Sequence, residues 1–320
     1  MFSYLFMEKV KVGIIKRILK RMGLFNIAKK IYHLFKRGKI KIINNKLELE
    51  QMIQVSIMNQ YKIMASLLTE EIYNLPKIID TGFKAYSQFD EDGILLYIFS
   101  LIGFTNRIVV EICCGHGAEC NTANLIINHA CYGLLFDGDE NNIKSAINFF
   151  NTNKSTWLLP PICKHAWITK DNINSLIEEE GFNGDIDLLS LDMDGVDYYI
   201  WNSLKIISPR VFICECHNII PDDMAVTIPY KEDFYRMSKD NYHEEFLGVS
   251  PLAMIKISKE KGYRLIGSHK YGFNLIFMRN DTGNKFFPEV ALSEISNNPY
   301  TILSKKTRWP LVKDAPWIKV

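Results

Sequence analysis

Asp192, Asp194 and Asp197 close the apolar run IDLLSL in IDLLSLDMDGVD, and Glu215 and His217 close a second apolar run in PRVFICECHN. Carboxylates and an imidazole gathered at strand ends can orient hydroxyl groups, accept a proton from one, or hold a cation. Burying this much negative charge in a purely structural turn is costly, so a substrate, a water or a metal is expected as partner of the aspartates. Asp194 and Asp197 are read as facing substrate. Strand alternation puts Glu215 and His217 on one face, and a histidine near neutral pKa can take a hydroxyl proton. Asp192 or His217 is therefore the expected base, with Glu215 orienting it or the acceptor, although His217 also suits a satisfied structural role. The pattern D-x-D-G-x-D has the start of a calcium loop, but its twelfth position is Ser203 behind a strand instead of a glutamate after a helix. Cys214, Cys216 and His217 lack a C-x-x-C companion. No metal site is expected.

A second chemical stretch is IVVEICCGHGAECNT, residues 108–122. Its spacing is E-x-C-x-G-x-G, from Glu111 through Cys113 to Gly115 and Gly117. Glycines after a buried strand permit a tight turn and let a ligand approach the backbone. Either a cofactor loop or an ordinary strand-to-helix turn fits these residues alone. Asp137 and Asp139 end the next apolar run, CYGLLFDGDE, where a carboxylate can accept both hydroxyls of a ribose. A strand-end turn is the alternative reading of Asp-Gly-Asp.

These groups need a scaffold of alternating strands and helices. Strands are predicted at 108–112, 131–140, 157–169 with Trp167 to Thr169 at the end, 186–191 and 209–218. The run at 186–191 is too apolar for an edge and should be central. Helices are predicted at 46–75, stopped by Pro76, at 87–103 with Ser87 as N-cap, at 122–129, 141–151, 171–182 and 197–205, and from Ser250 and Pro251 to Lys261. On the first of these, Leu49, Met52, Ile53, Ile57, Tyr61, Met64 and Leu68 share one side. GYRLIG and FNLIFMR, around SHKYG, read as a hairpin. Residues 219–247, including Tyr230, look like an insertion over the crevice that selects substrate. The sequence therefore lays out five strand–helix units, a helix and an antiparallel pair.

The 320 residues, 48% of them hydrophobic, suffice for one large core with appendages. Seven cysteines in apolar segments, without a signal peptide, suit a reducing, cytoplasmic compartment. Isoleucine, lysine and asparagine richness suggests an AT-rich, bacterial genome. The net charge of +2 hides an uneven distribution. Residues 1–46 hold 13 of the 38 basic side chains but only one of the 36 acids, Glu8, which leaves 25 basic and 35 acidic groups elsewhere. The expected organisation is a basic arm over 1–45, a helical lead-in over 46–80, a catalytic domain over 81–282 and a tail over 283–320. In the arm, residues 9–39 read as a basic amphipathic helix suited to an anionic inner leaflet, where each nearby Lys or Arg adds about 1 kcal/mol. A lead-in helix packed on the domain is the alternative. Nucleic acid is an unlikely partner, since no recognised module is present. No run of about 18 apolar residues is available to span a membrane.

The motifs SQFDEDGIL, VVEICCGHGAECNT, GLLFDGD, DLLSLDMDGVDYYIW, RVFICECHN and GVSPLAMIKISKEKGYRLIG with FNLIFMRND, in this order over 87–279, resemble the FkbM-type S-adenosylmethionine-dependent methyltransferases. The resemblance implies a class I methyltransferase Rossmann-like fold: a seven-stranded mixed sheet with an antiparallel C-terminal hairpin and helices on both faces. It also implies S-adenosylmethionine as cofactor, with Glu111, Gly115 and Gly117 at its methionine end, Cys113 in place of a family glycine, Asp137 on the ribose with Asp139 beside it, and Asp192, Asp194 and Glu215 at the reacting centre. Such proteins are commonly O-methyltransferases of sugar or other hydroxyls, many similar to products of surface-glycan clusters. A methyltransferase-like scaffold without activity is an alternative. A nucleotide-sugar or NAD-dependent enzyme is another, opposed by the terminal hairpin and the lack of a tyrosine–lysine pair.

Overall fold

A computed structural model of the chain describes residues 49–67, 75–238 and 242–320. The chain divides into two compact units, Met1–Ile57 and Met58–Val320. The expected basic arm, including 9–39, lies outside the described residues. Helix α1 occupies 49–67. Of the residues expected on one side, Leu49, Met52, Ile53 and Met64 are exposed, Ile57 and Tyr61 are half-buried and Leu68 lies outside the described residues, while Met58 is buried. Tyr61 sets the packed side, its ring edge-on to Tyr97 at 4.7 Å.

In the second unit the main strands are β1 (Ile108–Ile112), β2 (Tyr132–Asp137), β3 (Ile162–His165), β4 (Gly184–Leu191) and β5 (Ile207–Glu215). After the short β6 (Val226–Thr227) come β7 (Tyr263–Ser268) and β8 (Asn274–Arg279). The seven-stranded sheet has the order β3-β2-β1-β4-β5-β8-β7. Strands β1 to β5 pair in parallel, and β8 runs antiparallel to both β5 and β7. This is the strand order of the class I methyltransferase fold, and β4 is central as its predominantly apolar run requires.

Alternate strand residues feed two cores. Ile112, Phe136, Leu189 and Phe212 pack with α5 (Ile173–Glu179), α6 (Asp197–Ser203) and α7 (Pro251–Glu260). Val109, Leu135, Leu188 and Val211 pack with α2 (Glu91–Ile102), α3 (Ala123–His129) and α4 (Glu140–Thr152) on the opposite face. Two apolar faces on one sheet explain why the strands read as continuous hydrophobic runs. Ser250 caps α7 as expected, accepting from Ala253 N, with Pro251 in the first turn.

Two of the boundaries that differ from expectation have a local cause. Helix α2 begins at Glu91, because the Ser87 hydroxyl donates to Asp92 Oδ2 at 2.9 Å and accepts from Asp92 N at 3.2 Å, outside the helix it was expected to cap. Strand β3 stops at His165, and the Trp167 indole beyond it donates to Glu232 O at 2.7 Å. The tail folds on the second unit. It forms α8 (Leu292–Ser296), α9 (Pro299–Thr307) and β9 (Ile318–Lys319), which pairs with β6. Arg308 clamps both oxygens of Glu245, at 2.8 and 2.5 Å.

Candidate active site

A cavity of about 720 Å³ opens beyond the carboxyl ends of β1, β2 and β4, with Cys113, Asp137, Asp139, Asp192 and Asp194 in its wall. Parallel strands end there while their helices begin, so chain reversals expose backbone and strand-end side chains together. The glycine turn follows β1. Gly115 and Gly117 both have positive φ, and Gly117 lies so close to α4 that a Cβ would stand 2.9 Å from the Ala146 methyl carbon. Cys113 also has positive φ, +66°. That is the conformation a glycine would take freely and a side chain resists. Burial, then the charges of Asp137 and Asp192, push its thiol pKa well up.

Glu111 is buried and does not appear in the cavity wall. Its oxygens accept from Asn121 N at 2.9 Å, Thr122 N at 2.8 Å and the Thr122 hydroxyl at 2.5 Å. It ties the end of the glycine loop to β1, an anchoring role that strand position alone does not reveal. Burial raises its pKa against these hydrogen bonds. Asp137 performs a similar task from β2 while still facing the cavity: it accepts from Gly115 N at 2.8 Å, Asp139 N at 2.8 Å and Asn142 at 3.1 Å. Asp139 caps α4 through Asn141 N at 2.7 Å and is exposed.

At the end of β4 the turn 192–197 is built around Asp197, which accepts from Met193 N at 2.8 Å and Gly195 N at 3.0 Å. Asp197 is buried behind the turn rather than in the cavity wall, and burial followed by the Asp192 charge lifts its pKa to about 7. Asp194, at φ +56°, faces the cavity and pairs with Arg236. Burial raises the pKa of both Asp192 and Glu215, and their mutual hydrogen bond lowers the first and raises the second. Within the pair, this hydrogen bond favours the charged form of Asp192 and the neutral form of Glu215. One ligand oxygen each from Asp192, Asp194 and Glu215 lies within 4.8 Å of the others, a spacing that a hard divalent cation can use.

His217 stands apart. Strand β5 ends at Glu215, so alternation does not carry to residue 217; its backbone N–H donates to Val249 O at 2.8 Å and its Nε2 lies 2.8 Å from Glu245 O. Desolvation drives its pKa down to about 4. The ring is neutral, buried, and not in the cavity wall. Tyr230 is likewise outside that wall: its hydroxyl accepts from Lys170 N at 3.2 Å, and its ring packs 5.1 Å from Tyr199.

Tyr230 anchors a strap whose residues 232–237 cover the cavity. Phe234 sits directly on Gly195, where a Cβ would come within 2.1 Å of the ring. Sequence reading located this insertion over the crevice but missed Trp167, Phe234 and Arg236 individually, because their position depends on the strap docking across β3 and β4. The one local signal was an aromatic residue just past β3. Among the described residues, six carboxylates line the cavity against one cation, Arg236.

No family model and no curated protein matches the sequence. Solved structures similar to the chain include magnesium protoporphyrin IX methyltransferase from Synechocystis PCC 6803 with bound SAM, 12% identical, covering 59% of this chain and 77% of that one, with a TM-score of 0.35. An S-adenosylmethionine-dependent methyltransferase from Clostridium acetobutylicum ATCC 824 is 12% identical, with coverage of 55% and 85% and a TM-score of 0.33. The N-terminal domain of EvdMO1 with SAH bound is 11% identical, with coverage of 70% and 95% and a TM-score of 0.40. At these scores the likeness adds no weight to the fold that the strand order defines.

Proposed function

We propose that the chain is an S-adenosylmethionine-dependent O-methyltransferase of FkbM type that acts on a hydroxyl of a sugar or surface-glycan precursor near the inner membrane. The observation that supports it most is a glycine turn and an acid-lined cavity converging at the carboxyl ends of β1, β2 and β4 in a class I methyltransferase sheet. The cavity volume falls within the range of about 300–1,000 Å³ usual for small-molecule and cofactor sites. Its excess of carboxylates suits a cationic cofactor and a polyhydroxyl acceptor. In this reading the backbone from Cys113 to Gly115 holds the amino-acid end of the cofactor, Asp139 with Asp137 holds the ribose, and Trp167 and Ile168 flank the base. S-adenosylmethionine, when bound, supplies an electrophilic methyl group on a positively charged sulfur.

The chain's own residues handle the acceptor. Asp192 keeps the carboxylate of its pair with Glu215, and burial makes it a stronger base than an exposed aspartate. It takes the hydroxyl proton while Asp194 and Arg236 border the acceptor. His217 has no part in the step. Arm residues 9–39 hold the protein at an anionic leaflet.

Methyl transfer from radiolabelled cofactor to a panel of sugars tests the reading. Asp192→Asn should lower turnover by roughly 10²–10⁴-fold, the usual share of a general base, with the fold intact by circular dichroism. Undiminished turnover in that variant would remove Asp192 from the mechanism.

A further inference from the structure

We propose that the loop tip Trp157–Leu158–Leu159 is a membrane-docking element that seats the α/β unit on an anionic bilayer. The tip lies between α4 and β3, which is an edge strand of the sheet. Three consecutive large apolar side chains project there, 62%, 80% and 66% exposed. Soluble surfaces carry single exposed apolar residues routinely, but a contiguous group marks a contact.

The tip is also built to present them. Thr156 is buried, and its hydroxyl donates to Phe150 O at 2.5 Å. Ser155 N donates to Asn153 Oδ1 at 2.9 Å, Thr156 N and Trp157 N donate to Asn153 O at 3.2 and 2.9 Å, and Leu159 N donates to Thr156 O at 3.0 Å. Pro160 and Pro161, which follow, have no N–H to satisfy. A tip with these donors already paired can enter the interfacial region without leaving them bare, which an open loop cannot do.

A lipid surface fits better than a protein. The patch is one short tip rather than a broad face, and three side chains supply only a small part of the roughly 800 Å² per partner of a stable interface. Tryptophan favours the headgroup level. Lys154 at the base of the tip is exposed and residues 1–46 supply 13 basic groups against one acid, so attraction to an anionic leaflet comes from the arm and Lys154, not from the 25 basic and 35 acidic groups elsewhere. The tip leads into the amino end of β3, whereas the cavity lies beyond the carboxyl ends. A sheet about six residues tall separates them by on the order of 20 Å, so the cavity would open away from the lipid. This inference does not depend on the methyl-transfer reading.

The test is co-sedimentation of the full chain with vesicles of equal parts phosphatidylcholine and phosphatidylglycerol, at low salt and at high salt. High salt screens the arm's basic residues and leaves the apolar contribution of the tip. There the variant Trp157→Ser/Leu158→Ser/Leu159→Ser should partition at least about tenfold less than the native chain. Brominated lipid should quench native tryptophan fluorescence and quench Trp157→Phe measurably less, a readout that tolerates a poorly folded triple variant. Equal partitioning of native and triple-variant protein, with equal quenching of native and Trp157→Phe protein, would overturn the proposal. So would conversion of a dimer to a monomer by the triple variant at unchanged lipid partitioning, which would assign the tip to a second copy of the chain.

Discussion

At Cys113 the backbone holds a left-handed conformation, φ +66°, at the point where β1 turns toward the cavity. An L-residue there costs about 1–2 kcal/mol relative to a right-handed conformation, which glycine avoids. Cys113→Gly should therefore stabilise the fold by up to about 1 kcal/mol in urea unfolding, since glycine's greater freedom in the unfolded chain returns part of the gain. A destabilised variant would mean that the thiol's packing outweighs the strain. Asp197 gives a pH signature. Its carboxyl, raised to about 7 by burial and the Asp192 charge, keeps a proton that the unfolded chain has released above about pH 4. Its contribution to stability is full below that point and is lost as pH rises through 7. Melting temperature should fall from pH 5 to pH 8, and Asp197→Asn should make the fall shallower; an unchanged slope would place the titration elsewhere. The aspartates were legible because an apolar run that stops in acids marks a strand end. For His217 the structural alternative was legible, but its partner was not, because that depends on where β5 stops and on the carbonyl of Glu245, far along the chain.

Elements that position the site depend on a few contacts. Glu111 holds three donors at the start of α3, two of them backbone N–H groups. Glu111→Ala leaves these groups without partners and should cost roughly 3–5 kcal/mol, at about 1–3 kcal/mol for each buried orphan. Chemical denaturation reads this directly, and a loss below about 1 kcal/mol would show that water replaces the carboxylate. Gly195 carries the strap. Gly195→Ala forces the Phe234 ring off its seat, since the new Cβ falls at 2.1 Å, and should weaken ligand binding at the cavity while the sheet remains intact. Binding that matches the native chain would mean that the strap does not form the wall. Strand and helix periodicity revealed the α/β succession, and Ser250 with Pro251 marked α7 correctly. The boundary of β3 was hidden by the prolines before it, and the outward apolar side of α1 was hidden because amphipathic spacing does not say which of two faces is covered.

For the molecule as a whole, the five strand–helix units and the terminal hairpin were legible in the sequence, the seven-stranded mixed sheet followed from the resemblance, and the order of its strands came only with the structure. Nothing local foretold that the C-terminal residues would pair β9 with β6 and lock Arg308 onto Glu245, since both depend on segments more than sixty residues away. The central claim is that the cavity above β1, β2 and β4 binds S-adenosylmethionine although cysteine stands in its loop. Calorimetric titration of the full chain with S-adenosylmethionine and with its demethylated product tests it most directly. Micromolar binding of at least one is expected, weakened by Asp139→Ala. Absence of binding by the native chain would contradict the claim, and recovery of binding in Cys113→Gly would assign the loss to the cysteine.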